Sequence, residues 1–151
     1  MTHQDDTIST LEQLIETCRD GQNGYRDAAE HVKDTGLRNW FNQQSLDRGQ
    51  FAGELEGQVQ QLGKHDPDRK GSVSATLHRK WFDLKEKIIG SDESVLAEVE
   101  HGEDNAKEHY EKALKTELPA DIRTIIERQA KSVFAAHDHA KTLRDQHKHA
   151  A

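Results

Sequence analysis

In the stretch Glu98-Val-Glu-His-Gly-Glu-Asp-Asn-Ala-Lys-Glu-His-Tyr-Glu-Lys-Ala-Leu114, small and apolar residues recur at the spacing of a helix face. With Val95 just before it, the stripe reads Val95, Val99, Gly102, Ala106, Tyr110, Ala113 and Leu114. Steps of three and four residues fit a helix and not the two-residue alternation of a strand. One carboxylate, Glu103, falls inside the stripe and should point inward. A buried carboxylate needs a cation or a metal beside it, so the partner of Glu103 bears directly on what the protein does.

The same periodicity extends in both directions. A first helix is expected to begin between Thr7 and Thr10, where Ser9-Thr-Leu-Glu12 has the pattern of a capping box. Its inward stripe is Ile8, Leu11, Leu14, Ile15, Cys18, Gln22, Tyr25, Ala29 and Val32. Asp34-Thr-Gly36 makes a short turn, so the next helix, from about Leu37 to Leu62, should run antiparallel to the first. Its stripe passes through Trp40, Phe41, Gln44, Arg48, Phe51, Ala52, Leu55 and Val59. Gly63 to Gly71 reads as a loop by its Gly, Pro and Asp content. A shorter amphipathic helix is expected from Ser72 to about Ile89. Leu118-Pro119 then ends the central helix and opens the last one, whose stripe is Ile122, Ile125, Ile126, Gln129, Val133, Ala136, Ala140 and Leu143. The last helix is expected to fray from Gln146.

Two antiparallel hairpins joined by a long connection make an all-α, ferritin-like four-helix bundle with a short crossover helix between the second and third long helices. The 151 residues suit a single domain, 1–151, with an ordered core of about 8–145. Charged residues and hydrophobic residues each make up 32% of the chain. That is a low apolar share for a thick core and a normal one for a slender bundle with wide solvated faces. The net charge of −7 argues against nucleic acid and against anionic membranes as partners, and no apolar run is long enough to span a bilayer. The acidic, polar start Met1-Thr-His-Gln-Asp-Asp6 does not read as a signal peptide, so a cytoplasmic location is expected. Cys18 is the lone cysteine and falls on an apolar stripe, as a small core residue would.

The runs Leu14-Ile-Glu-Thr-Cys-Arg-Asp-Gly21, Gly24-Tyr-Arg-Asp-Ala-Ala29, Ser72-Val-Ser-Ala-Thr-Leu-His-Arg-Lys-Trp81, Gly102-Glu-Asp104 and Leu118-Pro-Ala-Asp-Ile122 resemble a bacterial domain-of-unknown-function family of small ferritin-like four-helix-bundle proteins. The resemblance covers nearly the whole chain. It implies the fold and brings no activity with it.

A di-iron carboxylate centre needs a Glu on each of two helices and a Glu-x-x-His on each of the other two. At the inward centre of this chain stand Gln22, Arg48, Glu103 and Gln129, of which only Glu103 is a fitting ligand. Glu98-x-x-His101 lies on an outward flank. Those four residues are instead expected to form a polar core layer, with Arg48 paired to Glu103 in the space that metals occupy in ferritins. A shift of helix phase would bring Glu16, Glu30, Glu54 or Glu127 towards Glu103 and restore a metal site. His101, Asn105 and His109, with Glu98 and Glu108 nearby, outline a surface patch too sparse for a tetrahedral site. The remaining histidines, among them His137, His139, His147 and His149, read as solvated or isolated.

Two function classes follow. The first is a non-enzymatic, stress-type or interaction protein with no cofactor and no complete di-iron site, acting through self-association or an unknown protein partner. Phe82 and Ile89 are its expected exposed patch. The second is a divergent iron-binding or iron-oxidising protein with Glu103 as a ligand. A weaker third reading is a small-ligand binder anchored on the polar layer.

Overall fold

The computed structural model describes residues 3–63 and 91–150. Within them the chain forms four helices and no strand: α1 (His3–His31), α2 (Thr35–Gln61), α3 (Asp92–Leu114) and α4 (Ala120–Ala150). The expected crossover helix from Ser72 to Ile89 and the expected Phe82/Ile89 patch lie outside the described residues. No described helix is long and apolar enough to cross a membrane.

Local chemistry explains most of the boundaries. Asp34 caps α2 by accepting from the Leu37 amide at 2.8 Å, which satisfies one of the orphan donors of the first turn. Ser91 does the same for α3 through the Ser94 amide at 3.2 Å. Asp92 of α3 reaches back to accept from the backbone amides of Lys33 and Asp34, tying the α1–α2 turn to the start of α3. The Pro119 carbonyl accepts from the Arg123 amide at 2.9 Å, which places Pro119 at the cap position just before α4.

Three boundaries depart from expectation: α3 ends at Leu114, before the Leu118-Pro119 expected to end it, and α1 and α4 run further than expected. α1 starts at His3, so Ser9 is an exposed residue within the helix and not its cap. Asp5 and Asp6 in the first turn supply the negative charge that the helix dipole favours there. α4 continues to Ala150 where fraying from Gln146 was expected.

Side-chain pairings fix the arrangement. Ser45 of α2 donates to the Gln22 carbonyl of α1, and Arg19 of α1 pairs with Glu56 of α2 at 3.0 Å. α1 and α3 meet at Thr17–His109 and Cys18–Tyr110. α3 and α4 meet at Tyr110–Gln129 and Glu100–Arg144, and α2 meets α4 at Glu54 with Arg128 and Gln129. Between α1 and α2, and between α3 and α4, one number rises as the other falls. Tyr25–Glu103 against Thr17–His109, and Trp40–His139 against Glu54–Arg128, give the same sense for α1–α3 and α2–α4, so every neighbouring pair is antiparallel. α2 and α3 therefore run in the same direction on opposite corners, which is the one-crossover bundle arrangement.

The interior divides in two. One cluster holds Leu11, Leu14, Cys18, Leu55, Tyr110, Ile126 and Val133 with their neighbours. The other holds Tyr25, Phe41, Val95, Leu96, Val99 and Ala140. Burying a leucine or valine of these stripes contributes about 1.5–3 kcal/mol. Along α2 the boundary falls at Arg48, and along α3 at Glu103.

Candidate functional site: a buried Arg48–Glu103 pair

The stripe of α3 behaves as its spacing dictates: Val95, Val99, Gly102, Glu103, Ala106, Tyr110 and Ala113 are all buried. Glu103 therefore enters the core by helix phase, with an exposure of 0%, and Arg48 reaches it from α2 with an exposure of 1%. The Arg48 Nη2 donates to both carboxylate oxygens, at 2.8 Å and 2.6 Å. The Tyr25 hydroxyl of α1 donates to the same carboxylate, and the guanidinium lies over the Tyr25 ring with its carbon 5.5 Å from the centroid. Positive charge over a ring face is attracted to it, so Tyr25 serves both ions at once.

Burial works against the charge on Arg48, but the Glu103 carboxylate beside it more than offsets this and holds the guanidinium above its ordinary pKa. Burial, then Glu103, push the Tyr25 phenol well above its ordinary value. Tyr25 stays protonated as a donor, and the layer carries one positive and one negative charge. Nε and Nη1 of Arg48 are buried without a hydrogen-bond partner.

Gly21 makes room for this side chain. A Cβ at that position would stand 2.8 Å from Arg48 Nη1 and 3.3 Å from its Cγ. A glycine inside a helix costs about 1 kcal/mol, and here it lets α1 pass beside a buried arginine.

A second polar chain runs next to the pair. The Cys18 thiol lies 3.0 Å from the Tyr110 hydroxyl, which donates to Gln129 Oε1 at 2.7 Å. Gln129 Nε2 donates to Glu54 at 2.8 Å, and Arg128 closes the chain on the other Glu54 oxygen. Tyr110 spends its single proton on Gln129, so Cys18 is the donor to Tyr110. Burial pushes the thiol up to about 11 and the Tyr110 phenol well above its ordinary range. Cys18 is a sealed, protonated donor, not a nucleophile. Tyr110→Phe strands the Cys18 thiol and the Gln129 carbonyl together, and the expected loss is about 1–3 kcal/mol in chemical unfolding.

The four residues expected in one layer do not all meet. Arg48 and Glu103 pair, and Gln129 is buried one step away in the Tyr110 chain. Gln22 is only half-buried; it accepts from Arg19 at 2.9 Å and packs against Gly49, on the α1–α2 flank. Gln44 is likewise half-buried, and Ser45 takes the inward position expected of it. Tyr25 and Tyr110 were legible as core residues but not as donors; the signal was that a buried phenol needs an acceptor.

Of two histidines expected in solvent, His137 is half-buried, while His139 is exposed and packs on a ring. His137 of α4 lies between Asp104 of α3 at 2.6 Å and Asp138 at 3.1 Å. Burial disfavours its charged form, but the hydrogen bonds to Asp138 and Asp104 prevail and raise its pKa above 6.5. His139 meets the Trp40 ring edge to face at 4.8 Å. His109 bonds Thr17 at 2.8 Å while His101 is exposed, so the surface histidine patch is not drawn together.

Asp20 is buried with Oδ1 unpartnered, and burial, then the nearby Glu16, push its carboxyl up to about 8. A raised carboxyl stabilises the fold fully below its unfolded value near pH 4 and loses that contribution as pH rises through about 8. Stability should therefore fall between those limits, and Asp20→Asn should flatten the decline in thermal melts taken across the range.

A metal centre makes different demands of the same space. The donors facing inward are a guanidinium, an amide and two protonated phenols around one carboxylate already neutralised by Arg48. Glu54 is held by Gln129 and Arg128, and Glu30 and Glu127 are exposed. Among the described residues no three His, Cys, Asp or Glu side chains converge to hold a metal. This donor set does not fit the carboxylate-rich di-iron pattern.

A family model described as a domain of unknown function, DUF2383, matches residues 6–116. The chain is a DUF2383 protein. Its resemblance to a ferritin-like family of unknown function is thereby shown. Among curated proteins none matches the DUF2383 chain in sequence. Among solved structures it is similar to a mutant of Dps1 from Mycobacterium smegmatis, with a TM-score of 0.78 at 15% identity, covering 93% of this chain and 96% of that one. At that identity the likeness speaks for the fold alone, and the fold is the all-α, ferritin-like four-helix bundle.

Proposed function

We propose that this DUF2383 protein is a non-enzymatic, stress-type or interaction module on a ferritin-like bundle, with a fixed ion pair in place of a di-iron centre. The observation that carries the reading is the contact of Arg48 with both oxygens of Glu103. An arginine stays charged at any working pH. A divalent cation at Glu103 would have to displace or face that charge in a medium of low dielectric. The divergent iron-binding alternative requires the opposite, an acidic centre with Arg48 swung away. A cytoplasmic setting belongs to the same reading, in keeping with one buried, protonated cysteine.

The test is aerobic loading of untagged protein with ferrous iron, followed by elemental analysis. Background iron is expected. A stoichiometry of about two irons per chain, as a di-iron centre requires, would overturn the proposal.

A further inference from the structure

We propose that the outward face of α2 is a self-association surface, packed antiparallel against α2 of a second copy of this chain. Around the helix at 3.6 residues per turn, every residue from Thr35 to Gln61 within about 60° of Leu46 is Thr, Asn, Gln, Gly or Leu. Asn42, Leu46, Gln50, Gly53 and Gln60 are exposed members of that face and Gly57 is half-exposed. In a chain where 32% of residues are charged, this face carries no charge over a helix of 27 residues. The other helices put charges outward: Arg26 and Glu30 on α1, Asp104 and Glu108 on α3, Glu127, Lys131 and Lys141 on α4.

Shape agrees with charge. Leu46, exposed by 62%, is the one exposed large hydrophobic residue among the described residues. Gly53 and Gly57 lie within about 20° of it around the helix, and nothing stands within 4 Å of where their Cβ atoms would be. Gly49 has a neighbour within the chain, since a Cβ there would meet the flexible Gln22 amide at 2.7 Å. Gly53 and Gly57 have none, although each costs the helix about 0.5–1 kcal/mol relative to alanine. A two-fold axis near residue 51 sets Leu46 of each copy over Gly53 and Gly57 of the other, a protrusion into a hollow.

Electrostatics selects a second copy as the occupant. Two chains of net charge −7 repel, and a two-fold contact sets each surface on itself. The outward faces of α1, α3 and α4 would bring charged side chains of two acidic chains together, whereas the α2 face meets only amides, threonine, glycines and leucine. The proposal is independent of the core ion pair, because Arg48 is buried on the opposite side of α2, roughly 160° around the helix from Leu46.

Sedimentation equilibrium of the full chain tests it. The wild type should have a mass near twice 17.2 kDa. Gly53→Glu and Leu46→Glu should each weaken association at least about tenfold. Gly53→Glu should keep or raise helical content, since glutamate is the better helix former, which separates loss of pairing from loss of folding. Gln50→Cys, close to the axis, should give a covalent dimer with a short bis-maleimide, while Glu108→Cys on the outer face of α3 should not; Cys18 is buried and stays silent. A monomeric wild type, the result if residues 64–90 or another protein cover this face, would overturn the proposal. So would an oligomer indifferent to both glutamate variants, or crosslinking at Glu108→Cys alone.

Discussion

Replacing Glu103 with alanine should lower the unfolding free energy by about 3–5 kcal/mol. For a chain of this size that moves Tm down by roughly 10 °C. The loss exceeds that of one hydrogen bond because Arg48 stays behind, charged and fully buried. Its Nε and Nη1 already lack partners, so removing Glu103 leaves the guanidinium with only the Tyr25 ring. Removing both charges should behave differently. In Arg48→Met combined with Glu103→Leu, apolar packing replaces two desolvated ions, and the expected stability lies between unchanged and about 4 kcal/mol higher. Urea unfolding of the two variants side by side is the measurement. A Glu103→Ala protein within about 1 kcal/mol of wild type would show that the guanidinium reaches solvent, as an exposed pair would allow.

Gly21→Leu should be nearly as damaging, by about 3 kcal/mol or more, because it combines overpacking with loss of the pair. The new Cβ meets both the tip and the stem of Arg48, and the rest of the side chain needs the volume that the guanidinium fills. Arg48 has no nearby alternative, since Glu103 and Tyr25 hold its position. Gly49→Ala is the internal comparison. Its Cβ meets only the Gln22 amide, the half-exposed end of a flexible side chain. A shift of that amide costs little, and the gain in helix propensity of up to about 1 kcal/mol should make the variant neutral or slightly stabilised. Equal losses for the two substitutions would remove the special role assigned to Arg48.

Much of this was legible in the residues. The α3 stripe had no competing period, and all of its members through Ala113 are buried; the flanking stripes of α1 and α4 follow the same logic. Legibility failed where apolar residues thin out. Asn42-Gln-Gln-Ser45 offers no apolar marker, although the buried positions of α2, Phe41, Ser45, Arg48, Ala52, Leu55 and Val59, keep to about 3.6 residues per turn. Gln44 and Ser45 fall on opposite flanks of that stripe, each roughly 50° from its centre, so the period alone does not choose between them. Gln22 failed for a related reason: it lies at the margin of its stripe, and Gly49 opened a lateral berth that no periodicity announces. The Tyr110–Gln129–Glu54 chain joins three helices, so its geometry depends on packing that one-dimensional spacing does not carry.

The buried Arg48–Glu103 pair also sets the helices lengthwise. Apolar stripes of alanine, valine and leucine are nearly interchangeable from one turn to the next, so α2 could slide along the bundle by a turn of about 5.4 Å at little cost in contact area. Such a slide would move Arg48 away from Glu103 towards Val99 or Ala106, burying a guanidinium among hydrocarbon. The pair thus works as a detent. It adds little to the depth of the native well and much to the height of the neighbouring ones, as single polar residues do in coiled-coil seams.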